Sequence, residues 1–471
     1  MKRRFYVLAF AFIAFFSFTT AGVAQGKQAK YVFYFIGDGM GVNQVNGTEM
    51  YLGELQGKIG TVPLCFASFP MATMATSFSA TNGVTDSAAG GTALATGEKT
   101  YNSAIGVNED TTNIYSIAVK AKEAGRRVGI TTSVSIDHAT PAAFYAHQPS
   151  RKMYYEIATD LPKAGFDFYA GSGFLQPTGK KDKNAENIYT LFDKSGYTIT
   201  KGFDEFNMKC QQTDKMILMQ KDGKDNASLP FAIDRKADDL TLSQITESAI
   251  RFLTKGEDKG FFLMVEGGKI DWACHSNDAA TVFQEVIDMD NAVKLAYDFY
   301  QKHPDETLIV ITADHETGGI VLGKGPYKLN LKALANQKIS QEALSKKINE
   351  LRKNKKNQVS WEDIQALLKE NMGFWDAITL NEKQEQLLKE EYQHSFSGKE
   401  VKMKESEYFK DEPMAALAKE ILNDIALVGW TSGGHSDGYV PVFAIGVGAE
   451  QFHGRIDNTD IPKFISKAAG Y

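Results

Sequence analysis

The sequence predicts an α/β protein: a large, mostly parallel central sheet with helices on both faces, and a helical insertion ahead of the last strand. Three observations predict it. Several short apolar runs are continuous rather than alternating, as strands buried on both faces are. Amphipathic helical patterns lie between them, the order of a crossover-connected sheet. Acids and histidines gather where the apolar runs end, the edge at which open α/β sheets form their ligand crevice.

The strand candidates are YVFYFIG (31–37), RVGITTSV (127–134), FFLMVE (261–266), TLIVITAD (307–314) and PVFAIGVG (441–448). The helical patterns are IYSIAVKAKEAG (114–125), with Gly125 as C-cap, and TVFQEVIDMDNAVKLAYDFYQKH (281–303). Residues from about 325 to 428 differ: they are rich in Lys, Glu, Gln and Leu and predict amphipathic helices inserted between two sheet strands. The 471 residues, 43% hydrophobic and 23% charged, suffice for a large core. A net charge of −6 and the lack of any basic stretch mixed with aromatics argue against a nucleic-acid partner.

At the N-terminus, Lys2–Arg4 precede the apolar run Phe5–Phe18 and the small residues Ala21–Ala24. This is the pattern of a secretory signal peptide ending after Ala24, which implies a periplasmic or secreted protein; the alternative is an uncleaved anchor. No other segment is long and apolar enough to span a membrane. Residues 25–471 then form one domain. Three cysteines, Cys65, Cys210 and Cys274, with no CxxC spacing, rule out a disulfide framework and leave any pairing open.

The stretch GVTDSAAGGTALATGEKT (83–100) sets an Asp-Ser pair ahead of side chains too small to make a core of their own. It predicts a closely packed helix start. Ser87 falls in the first turn, where free backbone N–H groups and the helix dipole favour an anion; Asp86 or Ser87 as a simple N-cap is the other reading.

The remaining polar signals sit at strand ends. The first run stops at Asp38, the third delivers Glu266 with Asp271 and His275 close behind, the fourth ends in Asp314-His315, and GGHSDG places His435 just before the last strand. Three buried strands carrying carboxylates to one edge would repel one another without cations. Aspartates with imidazoles suit zinc, and clustered oxygen donors suit magnesium. Asp271 and His275, four apart, share one helical face. Asp437 is either a partner of His435 or a solvated turn residue, and Cys274 either a competing ligand or a small packing residue.

Taken in order, FIGDGMG (35–41), VTDSAAGGTALATG (84–97), HATPAAFYAH with the following SRK (138–152), VEGGKIDWACH (265–275), TADHETGG (312–319) and GGHSDG (433–438) resemble the metal-dependent alkaline phosphatases. The resemblance implies a phosphomonoesterase working through a phosphoserine on Ser87. It implies one zinc ion held by Asp271, His275 and His435, which activates water and stabilises the leaving oxygen. A second zinc, held by Asp38, Asp314 and His315, would deprotonate Ser87. A magnesium ion would be held by Asp38, Thr140 and Glu266. Arg151 matches the guanidinium that clamps phosphate, and Asp86 a residue that orients it. The substrates implied are phosphate monoesters, the product inorganic phosphate and the assembly a homodimer. His138 and Trp272 stand near the third metal and the phosphate at positions where the family varies, so the third site is expected to have an altered metal preference. Two readings compete: a phosphodiesterase on the same scaffold, whose relatives usually carry Thr as nucleophile and lack both the clamp and the third site, and a non-catalytic metal- or phosphate-binding protein.

Overall fold

The computed structural model describes residues 27–180, 184–396 and 401–471. The expected signal peptide, 1–24, lies outside them. Among the described residues ten strands form the central sheet: β1 (Tyr31–Gly37), β2 (Met71–Thr76), β3 (Arg127–Thr132), β4 (Phe168–Ala170), β5 (Thr198–Lys201), β6 (Met216–Met219), β7 (Phe261–Gly267), β8 (Thr307–Thr312), β9 (Val440–Gly446) and β10 (Arg455–Asp457). Their spatial order is β10-β2-β9-β8-β1-β7-β3-β4-β6-β5.

All seven residues of β1 are buried. It lies between β7 and β8, parallel to both, with Ile36 opposite Glu266 on one side and Thr312 on the other. This register brings the C-terminal ends of three strands level, so Asp38, Glu266 and Asp314 emerge side by side. The run at 441–448 departs from the parallel expectation: β9 is antiparallel to both β8 and β2. It is entered from 428–438, a segment already at the strand C-termini, and so must run back down the sheet. Strands β2, β4, β5, β6 and β10 were not among the expected runs; β2 is a partly exposed MATMAT and β6 a four-residue apolar MILM.

The helices that bear on the site are α1 (Val42–Leu55), α2 (Ser87–Thr96), α3 (Ile117–Glu123), α4 (Ala139–Ala142), α5 (Leu242–Leu253), α6 (Lys269–His275), α7 (Ala279–Lys302), α8 (Gln341–Asn354), α9 (Trp361–Met372), α10 (Glu382–Ser395), α11 (Pro413–Ala426) and α12 (Asp460–Ala469). Helices α1, α5 and α7 cover one face of the sheet; α2, α3, α4 and α12 cover the other. The expected helix at 114–125 is shorter, because Ser116 caps it by accepting from the Val119 N–H. The insertion between β8 and β9 is helical as expected (α8 to α11) and also carries a two-stranded hairpin, Lys404–Glu405 with Lys410–Asp411. Among the described residues no helix is long and apolar enough to cross a membrane. Cys65, Cys210 and Cys274 are all free.

Candidate active site

The level strand ends gather acids in a dry place. Asp38, Glu266, Asp271 and Asp314 are all 0% exposed. Gly39 N–H donates to Asp314 Oδ1 at 3.2 Å. That approach needs glycine: Gly39 has φ +68°, and a Cβ there would fall 2.9 Å from Asp271 Oδ1. Burial, with Asp271 beside it, pushes Asp314 up to about 7. Burial also pushes Glu266 up to about 8 and Asp38 well above the usual carboxylate range, the latter with Asp314 next in effect. Left to themselves these acids would hold protons near neutrality.

Helix α6 begins three residues after Glu266. Its pitch sets Asp271 and His275 on one side, His275 Nε2 lying 3.3 Å from Asp271 Oδ2. Burial alone would raise Asp271, yet the His275, His435 and His315 imidazoles hold it below its ordinary range. Burial opposes protonation of His275, but the Asp271 carboxylate outweighs it and carries the imidazole up to about 9. Thr317, which sequence reasoning missed, donates to Asp271 Oδ1 at 2.6 Å and lies 3.2 Å from His315 Nδ1. Thr132, also missed, hydrogen-bonds Glu266. Both signals are single threonines in strand-like surroundings, which nothing in a sequence distinguishes from packing.

Ser87 is the first residue of α2, and its Oγ lies 3.2 Å from His315 Nε2. The small residues behind it are a matter of approach. A Cβ on Gly90 would lie 2.9 Å from the Asp314 carbonyl oxygen, and one on Gly91 3.2 Å from Thr140 Cα. Asp86 answers both readings made of it. It caps α2 by accepting from the Ala89 N–H at 3.0 Å, and it lies 3.3 Å from Arg151 Nη1. Arg151 Nη2 in turn is 3.4 Å from His138 Nε2. Burial, then the Arg151 cation, pushes His138 down to about 3, so its ring stays neutral beside the guanidinium. Trp272 stands next to His138, ring centroids 6.1 Å apart.

Among the described residues three groups of side chains have ligand atoms within 4.8 Å of one another: Asp271, His315 and His435; Asp38, Asp314 and His315; Asp38, His138 and Glu266. The second is the expected set. In the first, His315 stands where His275 was expected, because the His315 and His435 rings stack at 3.6 Å, while His275 remains against Asp271. In the third, the imidazole of His138 is nearer than expected, with the Thr140 hydroxyl buried close by on α4. His435 is oriented by its Nδ1, 2.9 Å from the Thr85 carbonyl; Asp437 is exposed. Burial raises the Cys274 thiol well above its usual range, so it packs as a small neutral residue.

The donor set fits cations. Buried atoms with no hydrogen-bond partner include both Asp38 oxygens, Asp271 Oδ2, Asp314 Oδ2, Glu266 Oε1, Thr140 Oγ1 and His275 Nε2. Buried polar atoms are rarely left so, and here they converge from four chain segments onto one edge.

A doubly covered, mostly parallel sheet with carboxylates and imidazoles at its strand C-termini defines an α/β metal-dependent hydrolase. A sequence model of the alkaline phosphatase family matches residues 29–172 and 176–471. Alkaline phosphatase 3 of Bacillus subtilis (strain 168) is 33% identical over 477 residues, taking in 98% of this chain and 95% of that one. The crystal structure of a cold-active alkaline phosphatase from a psychrophilic Shewanella sp. superposes with a TM-score of 0.76 at 30% identity, covering 93% of this chain and 99% of that one. The alkaline phosphatase of Thermus thermophilus, 23% identical with a TM-score of 0.75 over 98% and 96% of the chains, shares the fold. The chain belongs to the alkaline phosphatase family and is a metal-dependent phosphomonoester hydrolase.

Proposed function

We propose that this enzyme hydrolyses phosphate monoesters in two displacements through a phosphoserine on Ser87, with two zinc ions and one magnesium ion. The observation that carries the proposal is the convergence of the Ser87 hydroxyl, the Arg151 guanidinium and three carboxylate–imidazole groups on one sheet edge. Asp271, His275 and His435 would hold one zinc; Asp38, Asp314 and His315, with Ser87, the other; Asp38, Thr140 and Glu266 the magnesium. The bound ions would offset the charge of buried carboxylates and phosphoryl oxygens, and would ease ionisation of Ser87 and of water.

The rest is done by the chain. Ser87 Oγ forms a bond to phosphorus as the ester P–O bond breaks and the alcohol leaves with a proton. Water then attacks the phosphoserine, releasing phosphate and restoring Ser87. Arg151, held by Asp86, forks onto two phosphoryl oxygens, and the N-terminus of α2 faces the same charge. Phosphoryl transfer asks for this positioning and neutralisation more than for covalent chemistry by the protein. The test is turnover of an aryl phosphate monoester against the matching diester on zinc- and magnesium-loaded protein. A large monoester preference, lost with EDTA, is expected; a diester preference would mean that Arg151 or the third metal does not serve as assigned.

His138 supports a further expectation. An imidazole beside Glu266 and Asp38 gives the third site a nitrogen donor, which zinc accepts more readily than magnesium. Titration of metal-stripped protein should show zinc competing for magnesium activation; full magnesium activation without competition would reject this. The segment 1–24 supports export to the periplasm or beyond, residues 25–471 with the insertion at about 325–428 are read as one catalytic unit, and a homodimer follows from the family resemblance alone.

A further inference from the structure

The insertion meets the catalytic edge through its hairpin. Tyr408 lays its ring flat on Trp272, centroids 4.3 Å apart and planes at 12°, and stands edge-on to His275 at 5.4 Å. Beside this contact lies a polar cleft of about 550 Å³. Its catalytic wall includes His275 and Ser432; its opposite wall, from the insertion, includes Gln341, Glu407, Asp411 and Lys419.

Three of those side chains are buried, and two of them, Gln341 and Asp411, carry polar atoms without a hydrogen-bond partner. Gln341 is 2% exposed, and neither its amide oxygen nor its amide nitrogen is hydrogen-bonded. Asp411 is 4% exposed with Oδ1 unpaired. Lys419 is 4% exposed, and among the described residues its ammonium has no carboxylate within 4.0 Å. Other lysines of the insertion are paired: Lys404 with Glu420 at 3.0 Å and Lys355 with Asp363 at 2.5 Å. A buried cation, a buried acceptor and a buried amide around one cavity are costly unless something satisfies them.

We propose that this cleft binds the alcohol part of polyhydroxylated phosphate monoesters, such as sugar phosphates, with Lys419 and Gln341 donating to hydroxyl oxygens and Asp411 accepting from hydroxyls. The proposal rests on the phosphomonoesterase reading above, in which His275 belongs to the metal group facing the leaving oxygen; the alcohol then departs toward the cleft that His275 borders. The mixed donor and acceptor set matches hydroxyls, which do both. A second phosphate would meet Lys419 but be repelled by Asp411 and Glu407. An aryl group would leave the Gln341 amide and Asp411 Oδ1 unpaired, the situation that a polar pocket discriminates against most strongly.

The test compares kcat/KM for glucose 6-phosphate with that for phenyl phosphate, in metal-loaded wild type, Lys419→Met and Gln341→Leu, each first checked for an intact thermal transition. The sugar-to-phenyl ratio is expected to fall at least about fivefold in each variant, and a smaller change would overturn the proposal. Two variants on different helices, α8 and α11, guard against one failing to fold. A readout free of turnover comes from calorimetric titration of Ser87→Ala protein with glucose 6-phosphate, whose affinity should fall by a similar factor on adding Lys419→Met; unchanged affinity would also overturn it. Failure of wild type to hydrolyse phenyl phosphate at all would instead defeat the phosphomonoesterase reading.

Discussion

Ser87→Ala is expected to lower kcat for an aryl phosphate monoester by at least about 10³-fold. The hydroxyl lies at the start of α2, 3.2 Å from His315 Nε2, with the family of ligand side chains around it and Arg151 across the pocket. In the proposed mechanism, removing it takes away the bond-forming atom and one oxygen donor of the second zinc, while Arg151 and the other ligand side chains remain. The substitution should fold, because Ser87 is fully buried, alanine is smaller, and the cap of α2 is supplied by Asp86 rather than by Ser87. Rapid-quench labelling with a ³²P ester should trap a phosphoprotein in wild type and none in the variant. A variant that kept more than about a tenth of wild-type turnover would remove Ser87 from the proposed mechanism.

Stripping the metal ions is expected to abolish turnover and to make stability fall as pH rises from 7 to 9. In that window the groups still changing are Asp314, raised to about 7, Glu266, raised to about 8, and His275, raised to about 9, with Asp38 raised as well. Each keeps its proton in the fold after the unfolded chain has released it, so the folded state binds more protons and stability declines with pH. Below about 6.5 the same carboxyls stay protonated in the fold and ionised in the unfolded chain down to about 4, so their effect keeps its sense. His138 and His315 stay neutral when buried, whereas unfolded imidazoles take up protons, which offsets part of the carboxyl effect below about 6.5. The stripped protein should therefore lose on the order of a few kcal/mol between pH 7 and pH 9, several degrees of Tm. Thermal unfolding at pH 7, 8 and 9, with a zinc-reloaded control, measures this. The reloaded protein should be nearly flat, because cations keep the same carboxylates ionised; equal slopes in both would mean that these side chains do not hold the metals.

Much of this site was legible because its chemistry coincides with strand ends. The apolar runs ending at Asp38, Glu266 and Asp314 became β1, β7 and β8, and the four-residue spacing of Asp271 and His275 became one turn of α6. What escaped was set by tertiary packing. The direction of β9 depends on where the insertion returns, not on the composition of PVFAIGVG. Whether His275 or His315 stands nearer His435 depends on ring stacking between segments far apart in sequence. Thr317 and Thr132 are ordinary side chains made important only by what they touch. Tyr408 lies in a charged, helix-rich stretch whose pattern describes solvated surface and says nothing of one ring reaching Trp272.

The register of β1 also governs how this enzyme comes into being. Its two hydrogen-bonding neighbours are 261–267 and 307–312, so during synthesis this fully buried strand waits through about half the chain for its first partner. Such non-local pairing makes folding slow and leaves strand edges open to misassociation. The proposed ligand side chains are spread from Asp38 to His435, so a chain made only as far as β8 could not assemble the full proposed cluster. On that assignment metal capture would be a late event, and activity would report only chains made at least as far as His435.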